Sequence, residues 1–530
     1  MRTSLSDKER LFAKKLLSEI ESGTILTKRD LEKRQFSLSA ELKLDQMPAR
    51  PLILAEAKKQ TKKMRELLSV KPTRSLSGVQ VVAVMLPPFD CPGKCIYCPS
   101  SFKGKVAPKS YTGFEPSTLR AQRLGFDPYK IVSNRIKQLD MTGNDAQKIE
   151  LIFQGSSFTA MPARAQVLAV KKSLDAVTEK KSPSLEKSKL FAEKSKRRVV
   201  GITFETRPDL CEKKDVERML SLGGTRVEIG VQNPDDVIYK KIGRGHTVED
   251  VVNATKLLKD SSFKVLYHLM PGLPGSNYKK DLKNFKMIFE DPCFKPDMVK
   301  FYPCLVIKGT KLYKDWKKGK YSPMKEDEAI KLLAELKRSI PKWVRVMRVN
   351  RDIPSDVISA GIMKTNLREL VAKELASHGE KCNCIRCREV GLLYRDSIEE
   401  PDWLGAKIGT EFYDASGGKE AFISAESNGV LFGFVRLRKP SGPFMKEIDQ
   451  KTALIRELHV YGRSVPLGKH FEESAQHKGL GKVLMGEAEK VAKEKFGAEK
   501  IVIISGLGVK EYYIKNFGYK KEGPYVSKKI

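Results

Sequence analysis

No stretch of this chain stays apolar over the roughly 18–20 residues that a membrane-spanning helix needs. Residues 1–19 are charged throughout and lack the apolar core of a secretory signal. Membrane insertion and export are therefore not expected, and the cytoplasm is the expected location. A disulfide framework is not expected either. Six of the nine cysteines crowd into two short runs, which suits metal sites in a reducing compartment better than crosslinks. Acidic residues are scarce beside basic ones: 65 Asp and Glu against 99 Lys and Arg leave a net charge of +34. An excess of that size points to a polyanionic partner, most simply a nucleic acid.

The basic residues are also grouped. Lys58, Lys59, Lys62, Lys63 and Arg65 recur at helical spacing, which predicts a basic helical N-terminal module over residues 1–75. A second lysine-rich stretch, 171–198, holds Ser-Pro-Ser at 182–184 and reads as a solvated insertion. From residue 81 the texture changes. Short apolar runs at 81–85, 149–153, 199–204, 226–231, 264–269 and 298–302 read as strands, with amphipathic stretches such as 250–259 and 278–289 between them. Strand–helix alternation gives a parallel sheet, open or closed into a barrel, whose active groups gather at the C-terminal strand ends. The expected span of this unit is 76–375.

The first strand runs into Cys91-Pro92-Gly93-Lys94-Cys95-Ile96-Tyr97-Cys98. This C-x3-C-x2-C spacing offers three thiolates and no fourth. A structural zinc normally takes four ligands, whereas a 4Fe–4S cluster held by three leaves one iron open to bind a second molecule. The later strands end in polar residues: Gln154-Gly155-Ser156-Ser157, Glu205 and Arg207, Gln232, and a Met-Pro-Gly-Leu-Pro-Gly turn at 270–275. The cysteine loop with these ends behind it resembles the signature of radical S-adenosylmethionine (SAM) enzymes. The resemblance implies that Glu205, Arg207 and Gln232 hold the ammonium, carboxylate and ribose of SAM. Family members usually carry Gly-Gly after the second strand; here Gly155 is followed by Ser156.

A second run, Cys382-Asn383-Cys384-Ile385-Arg386-Cys387, supplies three soft ligands within an expected connector, 376–398. Zinc is expected there, with Cys304 or His378 as candidates for the fourth ligand. Cys211 and Cys293 read as packed residues, and His246 as a loop cap.

The remaining residues, 399–530, read as a separate α+β unit. Strand-like runs at 421–424, 430–437 and 455–461 precede Gln476-His477-Lys478-Gly479-Leu480-Gly481, then a helix over 482–495 and a strand at 501–505. A Q-x-x-G-x-G turn on a helix N-terminus suits a pyrophosphate, because the free N–H groups and the positive dipole end face it. This region resembles GNAT-type acetyltransferases, which hold acetyl-coenzyme A there. Tyr512 and Tyr513 follow the last of these strands, where such folds often carry a tyrosine near the thioester sulfur.

The pairing of the two units is rare. With further motifs at 109–116, 268–275, 302–310 and 457–462, the chain resembles the catalytic subunit of Elongator in a stand-alone prokaryotic form, over about residues 20–530. The fold implied is a radical SAM partial (β/α) barrel, a zinc-binding connector and a GNAT-type domain. The activity implied is carboxymethylation of the wobble uridine in the tRNA anticodon stem-loop. In that scheme a SAM-derived radical takes hydrogen from the acetyl methyl of acetyl-CoA, the carbon adds to C5, and the thioester is hydrolysed. The donor contacts implied are Lys148, Glu457, Leu458, His459, Val460, Gln476, Lys478, Gly479, Leu480 and Gly481, with Tyr512 and Tyr513 as catalytic residues and the thioester directed toward the barrel mouth. A reductant for the cluster is implied, and a homodimer is allowed. Two rival functions are a protein-lysine acetyltransferase with a structural iron–sulfur region and a non-catalytic RNA-binding scaffold. The open-iron cysteine spacing argues against the first, and the intact glycine loop against the second.

Overall fold

The computed structural model describes residues 5–57, 61–68, 78–142, 144, 146–155, 157–394, 401–461 and 479–530. Among these, no helix is long and apolar enough to cross a membrane.

The N-terminal helices Asp7–Glu21, Lys28–Glu41, Arg50–Ala55 and Lys62–Leu68 pack around their own core, which includes Phe12, Leu16, Leu31 and Leu38. Capping boxes at Ser6 and Thr27 start the first two. Lys58 and Lys59 lie outside the described residues.

The next sheet has seven strands: β1 (Val79–Met85), β2 (Lys148–Gln154), β3 (Arg198–Thr206), β4 (Arg226–Gln232), β5 (Lys264–Leu269), β6 (Met298–Phe301) and β8 (Arg345–Val349). All pairs are parallel and the spatial order follows the chain. Right-handed crossovers in chain order leave every helix on one face and curl the sheet into a half-barrel. Every residue of β4 is buried. Its Val227, Ile229 and Val231 join the apolar core, while Arg226 and Glu228 alternate with them on the concave side. A small pair, β7 (Val306–Ile307) with β9 (Ile358–Ala360), lies beside the sheet.

The lysine-rich stretch 171–198 is not a solvated insertion. It supplies part of the β2–β3 crossover, helices Ala163–Thr178 and Leu185–Glu193. Buried Asp175 explains the order: it accepts from Ser182 Oγ at 2.7 Å and from Ser188, and pairs with Lys171 at 2.8 Å. Lys180, Lys181, Lys187, Lys194 and Lys196 stay exposed while the apolar side chains pack.

The C-terminal sheet has the order β10 (Lys407–Ala415), β11 (Gly418–Ser427), β12 (Val430–Lys439), β13 (Thr452–Val460), β14 (Lys500–Ile503), β16 (Tyr525–Lys529), β15 (Lys520–Glu522). All pairs are antiparallel except β13–β14. This sheet docks against the N-terminal ends of the half-barrel strands, opposite the cysteine loop. Tyr525 Oη donates to Ser261 O, and a Cβ on Gly506 would stand 2.2 Å from Val200 O.

A dry charge network fixes the docking. Arg456 donates to Asp297 at 2.6 and 2.7 Å and to Glu420 at 2.7 Å, and Arg438 to Asp260 at 2.5 Å and Glu420 at 3.0 Å. Lys259 and Arg436 complete it, and all these side chains are at most 1% exposed. Charges at this depth hold together only when paired, so the network penalises any other relative placement of the two sheets.

Candidate functional site

A cavity of about 560 Å³ opens at the C-terminal strand ends. Its wall includes Cys91, Cys95 and Cys98 together with Glu205, Arg207 and Gln232. Six residues expected from sequence therefore meet in one place. Among the described residues, the three sulfurs are not within the mutual 4.8 Å that groups them around a single ion; a cluster spreads its thiolates over separate corners. Glu205 accepts from Tyr111 Oη at 3.3 Å and Gln154 Nε2 at 3.2 Å. Arg207 is held by both oxygens of Asp209 at 2.9 Å, which leaves its buried Nη1 without a partner among the described residues. Gly93 lies directly over that atom, since a Cβ there would stand 2.2 Å from it. A guanidinium held by Asp209 and by Arg244 O keeps one nitrogen unpaired beneath Gly93, a donor suited to an anionic group.

Gly155 does not line the cavity. Its φ of +106° and a virtual Cβ 2.8 Å from Pro108 explain the glycine by backbone conformation and packing. Ser156 lies outside the described residues. Lys148 opens β2 at the far end of the strand, half-buried, with its amine lowered by burial and by Arg198.

Two features escaped the sequence reading. Arg244 Nη1 lies 3.5 Å from Cys95 Sγ, Nη2 donates to Gly230 O at 2.5 Å, and Nε donates to His246 Nε2 at 2.9 Å. Burial, with Arg244 and Arg207 nearby, lowers His246 to about 3, so it stays a neutral acceptor; it orients Arg244 besides capping a loop. The glycines flanking Arg244 were the available signal. The second feature is a polar group in the concave face: Glu228 meets Lys300, and its Oε2 is 2.8 Å from His268 Nε2. Strand alternation could have placed these on one face, but not adjacent across three strands.

Cys382, Cys384 and Cys387 bring their sulfurs within 4.8 Å of one another. Neither candidate fourth ligand joins them. Cys304 is buried near the cysteine loop, and its thiol is pushed up to about 12 by burial. His378 is exposed, its Nδ1 2.9 Å from Glu374 O. The tight turn ties the half-barrel to the C-terminal sheet: Ile385 N donates to Val344 O, and Arg388 Nη1 lies 2.7 Å from Glu426. Cys211 is packed as expected, but Cys293 is exposed, because it sits in the turn before β6.

In the C-terminal sheet, β14 pairs with β13 only as far as Ile455 and Ile503, while β13 continues to Val460. The strands part, and Glu457, Leu458, His459 and Val460 edge the resulting wedge. Gly479, at φ +76°, caps the helix Leu480–Phe496 that begins beside it. A Cβ on Gly481 would stand 2.8 Å from Tyr512 Oη. Tyr512 is half-buried and Tyr513 buried, with ring centroids 5.4 Å apart. Among the described residues no side chain caps this helix start, and free backbone N–H groups at a helix N-terminus suit a pyrophosphate. Gln476 and Lys478 lie outside the described residues. The wedge faces the N-terminal end of the half-barrel, where Tyr461 Oη accepts from Arg345 at 2.8 Å. The buried charge network holds this sheet at the end of the half-barrel opposite the cysteine loop.

Fold and site define a radical SAM protein joined to an acetyltransferase. Residues 85–286 match the Radical SAM superfamily, 296–377 a Radical SAM C-terminal domain and 392–519 the Acetyltransferase (GNAT) family. The chain belongs to the family of tRNA uridine(34) acetyltransferases and Elongator complex protein 3. It is 48% identical to the tRNA uridine(34) acetyltransferase of Methanocaldococcus jannaschii, over 98% of this chain and 97% of that one. It is 39% identical to Elongator complex protein 3 of Saccharomyces cerevisiae, over 93% and 90%. The solved archaeal Methanocaldococcus infernus Elp3 lacking residues 1–46 aligns with a TM-score of 0.77 and 47% identity, over 86% of this chain and all of that one.

Proposed function

We propose that this chain adds a carboxymethyl group to C5 of the wobble uridine of tRNA, with SAM as radical source and acetyl-CoA as carbon donor. The observation that supports the reading is a thiol-lined cavity at one end of a polar half-barrel, with a glycine-led helix start beside Tyr512 in the sheet docked at the other end. The names of the relatives support tRNA uridine as substrate, and a net charge of +34 suits it.

Cys91, Cys95 and Cys98 would hold a 4Fe–4S cluster; when bound with SAM and reduced, it supplies a carbon radical. The free face of Arg207 would take the SAM carboxylate, Glu205 the ammonium and Gln232 the ribose. Gly479 to Gly481 would take the pyrophosphate of acetyl-CoA. Tyr512 would bond the thioester sulfur or position a hydrolytic water, with Tyr513 behind it. Lys148 stands at the acyl end of the half-barrel, which fits contact with the donor. Cys382, Cys384 and Cys387 would hold zinc and stiffen the junction. A reductant and a cytoplasmic setting complete the reading, and a homodimer is compatible with it.

Anaerobic incubation with tRNA, reductant, SAM and acetyl-CoA, followed by nucleoside mass analysis, tests the proposal. Carboxymethyluridine is expected and should vanish in the Cys91→Ser, Cys95→Ser, Cys98→Ser variant. Acetyl transfer to protein lysine with unmodified tRNA would favour the rival acetyltransferase.

A further inference from the structure

One wall of the cavity is used by neither the cysteine loop nor the residues assigned to SAM. It is formed by His268, Tyr302, Arg348 and Arg351. The His268 and Tyr302 rings meet edge to face, centroids 5.4 Å apart at 87°. The Arg351 guanidinium carbon lies 5.8 Å from the Tyr302 ring centre, and Arg351 Nη2 donates to Ser110 O at 2.5 Å. Arg348 pairs with Asp352 at 2.6 Å near the exposed rim.

The imidazole is fixed from behind. His268 Nε2 is 2.8 Å from Glu228 Oε2, and no described residue bonds Nδ1. Glu228 is fully buried. Burial alone would raise its acid, but Lys300, His268 and Arg226 hold it well below the usual carboxylate range. The anionic partner fixes Nε2 as the ring's donor, and Nδ1 is the edge atom left facing the cavity as an acceptor. The wall therefore combines an aromatic face, one oriented acceptor and two guanidiniums at the rim. Unpaired RNA bases are read in this way, by stacking and edge contacts with phosphate held by arginine.

We propose that this wall receives a single everted uridine nucleotide, its base on Tyr302, its N3–H on His268 Nδ1 and its phosphate on Arg348 and Arg351. The proposal rests on the tRNA reading above and adds the base-specificity element. Uracil carries a hydrogen on N3 and cytosine does not, so the same acceptor selects against cytosine.

The test uses the full chain without cluster or SAM, and a labelled anticodon stem-loop carrying U, C or an abasic site at the wobble position. Anisotropy should give about tenfold tighter binding for U than for the abasic hairpin, the size of one stacking contact. Tyr302→Leu should erase that difference and Tyr302→Phe should keep it. His268→Ala should erase the preference for U over C. Arg348→Gln and Arg351→Gln should weaken all three hairpins alike and flatten the salt dependence. Circular dichroism and an unchanged melting temperature qualify each variant as folded. A folded Tyr302→Leu protein that still prefers U over the abasic hairpin overturns the proposal. So does a Tyr302→Leu protein that, once reconstituted, loses only SAM affinity. Absence of salt-dependent hairpin binding by the parent would instead sink the tRNA reading itself.

Discussion

Arg456 is where a single side chain decides most. It is fully buried and reaches Asp297 in the half-barrel and Glu420 in the C-terminal sheet. Arg456→Met would leave two carboxylates dry and underpaired, so a loss of about 3–5 kcal/mol in urea unfolding is expected. The acid response follows from the same group. Burial would raise Asp297, but Arg456 and Lys259 hold it far below the carboxylate range, and Glu420 is lowered in the same way. Lowered acids contribute stability that is complete above the unfolded value near pH 4 and is lost as pH falls toward the folded one. Unfolding midpoints should therefore drop steeply below pH 4, and less so in an Asp297→Asn protein. None of this was legible beforehand. Nothing local in the sequence sets Arg436, Arg438 and Arg456 apart, and only docking buries them.

The helix Leu480–Phe496 carries the proposed pyrophosphate site at its start. Gly481→Ala would drive a methyl into Tyr512 Oη, 2.8 Å away. Calorimetry with a non-hydrolysable acetyl-CoA analogue should record weaker binding, and adding Tyr512→Leu should recover part of it. No recovery would mean that the glycine serves the ligand rather than the tyrosine. At Gly479, with φ +76°, alanine should cost about 1 kcal/mol through strain alone. This element was readable because a glycine turn before an amphipathic helix is a local pattern. The wedge beside it was not, since it depends on where β13 and β14 stop pairing.

Across the whole molecule, the cysteine turn at 382–387 joins two sheets that also meet through buried charge. Serine at Cys382, Cys384 and Cys387 together should lower the melting temperature while iron content stays unchanged by metal analysis. Equal loss of iron would show that this turn belongs to the first cluster. RNA affinity should fall linearly on a log–log scale with salt, because contacts to phosphate release counterions.

The sequence by itself determined what is local: two thiol loops, strand–helix alternation, polar strand ends and a glycine turn on a helix. Each depends on spacing within a few residues, and spacing survives in one dimension. Tertiary structure decided what joins distant segments. Arg244 meets Cys95 across 149 positions, and Glu228, His268 and Lys300 meet across three strands. That neither Cys304 nor His378 joins Cys382, Cys384 and Cys387 could not be read from sequence, because ligand geometry is a matter of distance. The end of the half-barrel that receives the C-terminal sheet was not legible for a related reason. It is set by charges whose partners become visible only when the two sheets are brought together.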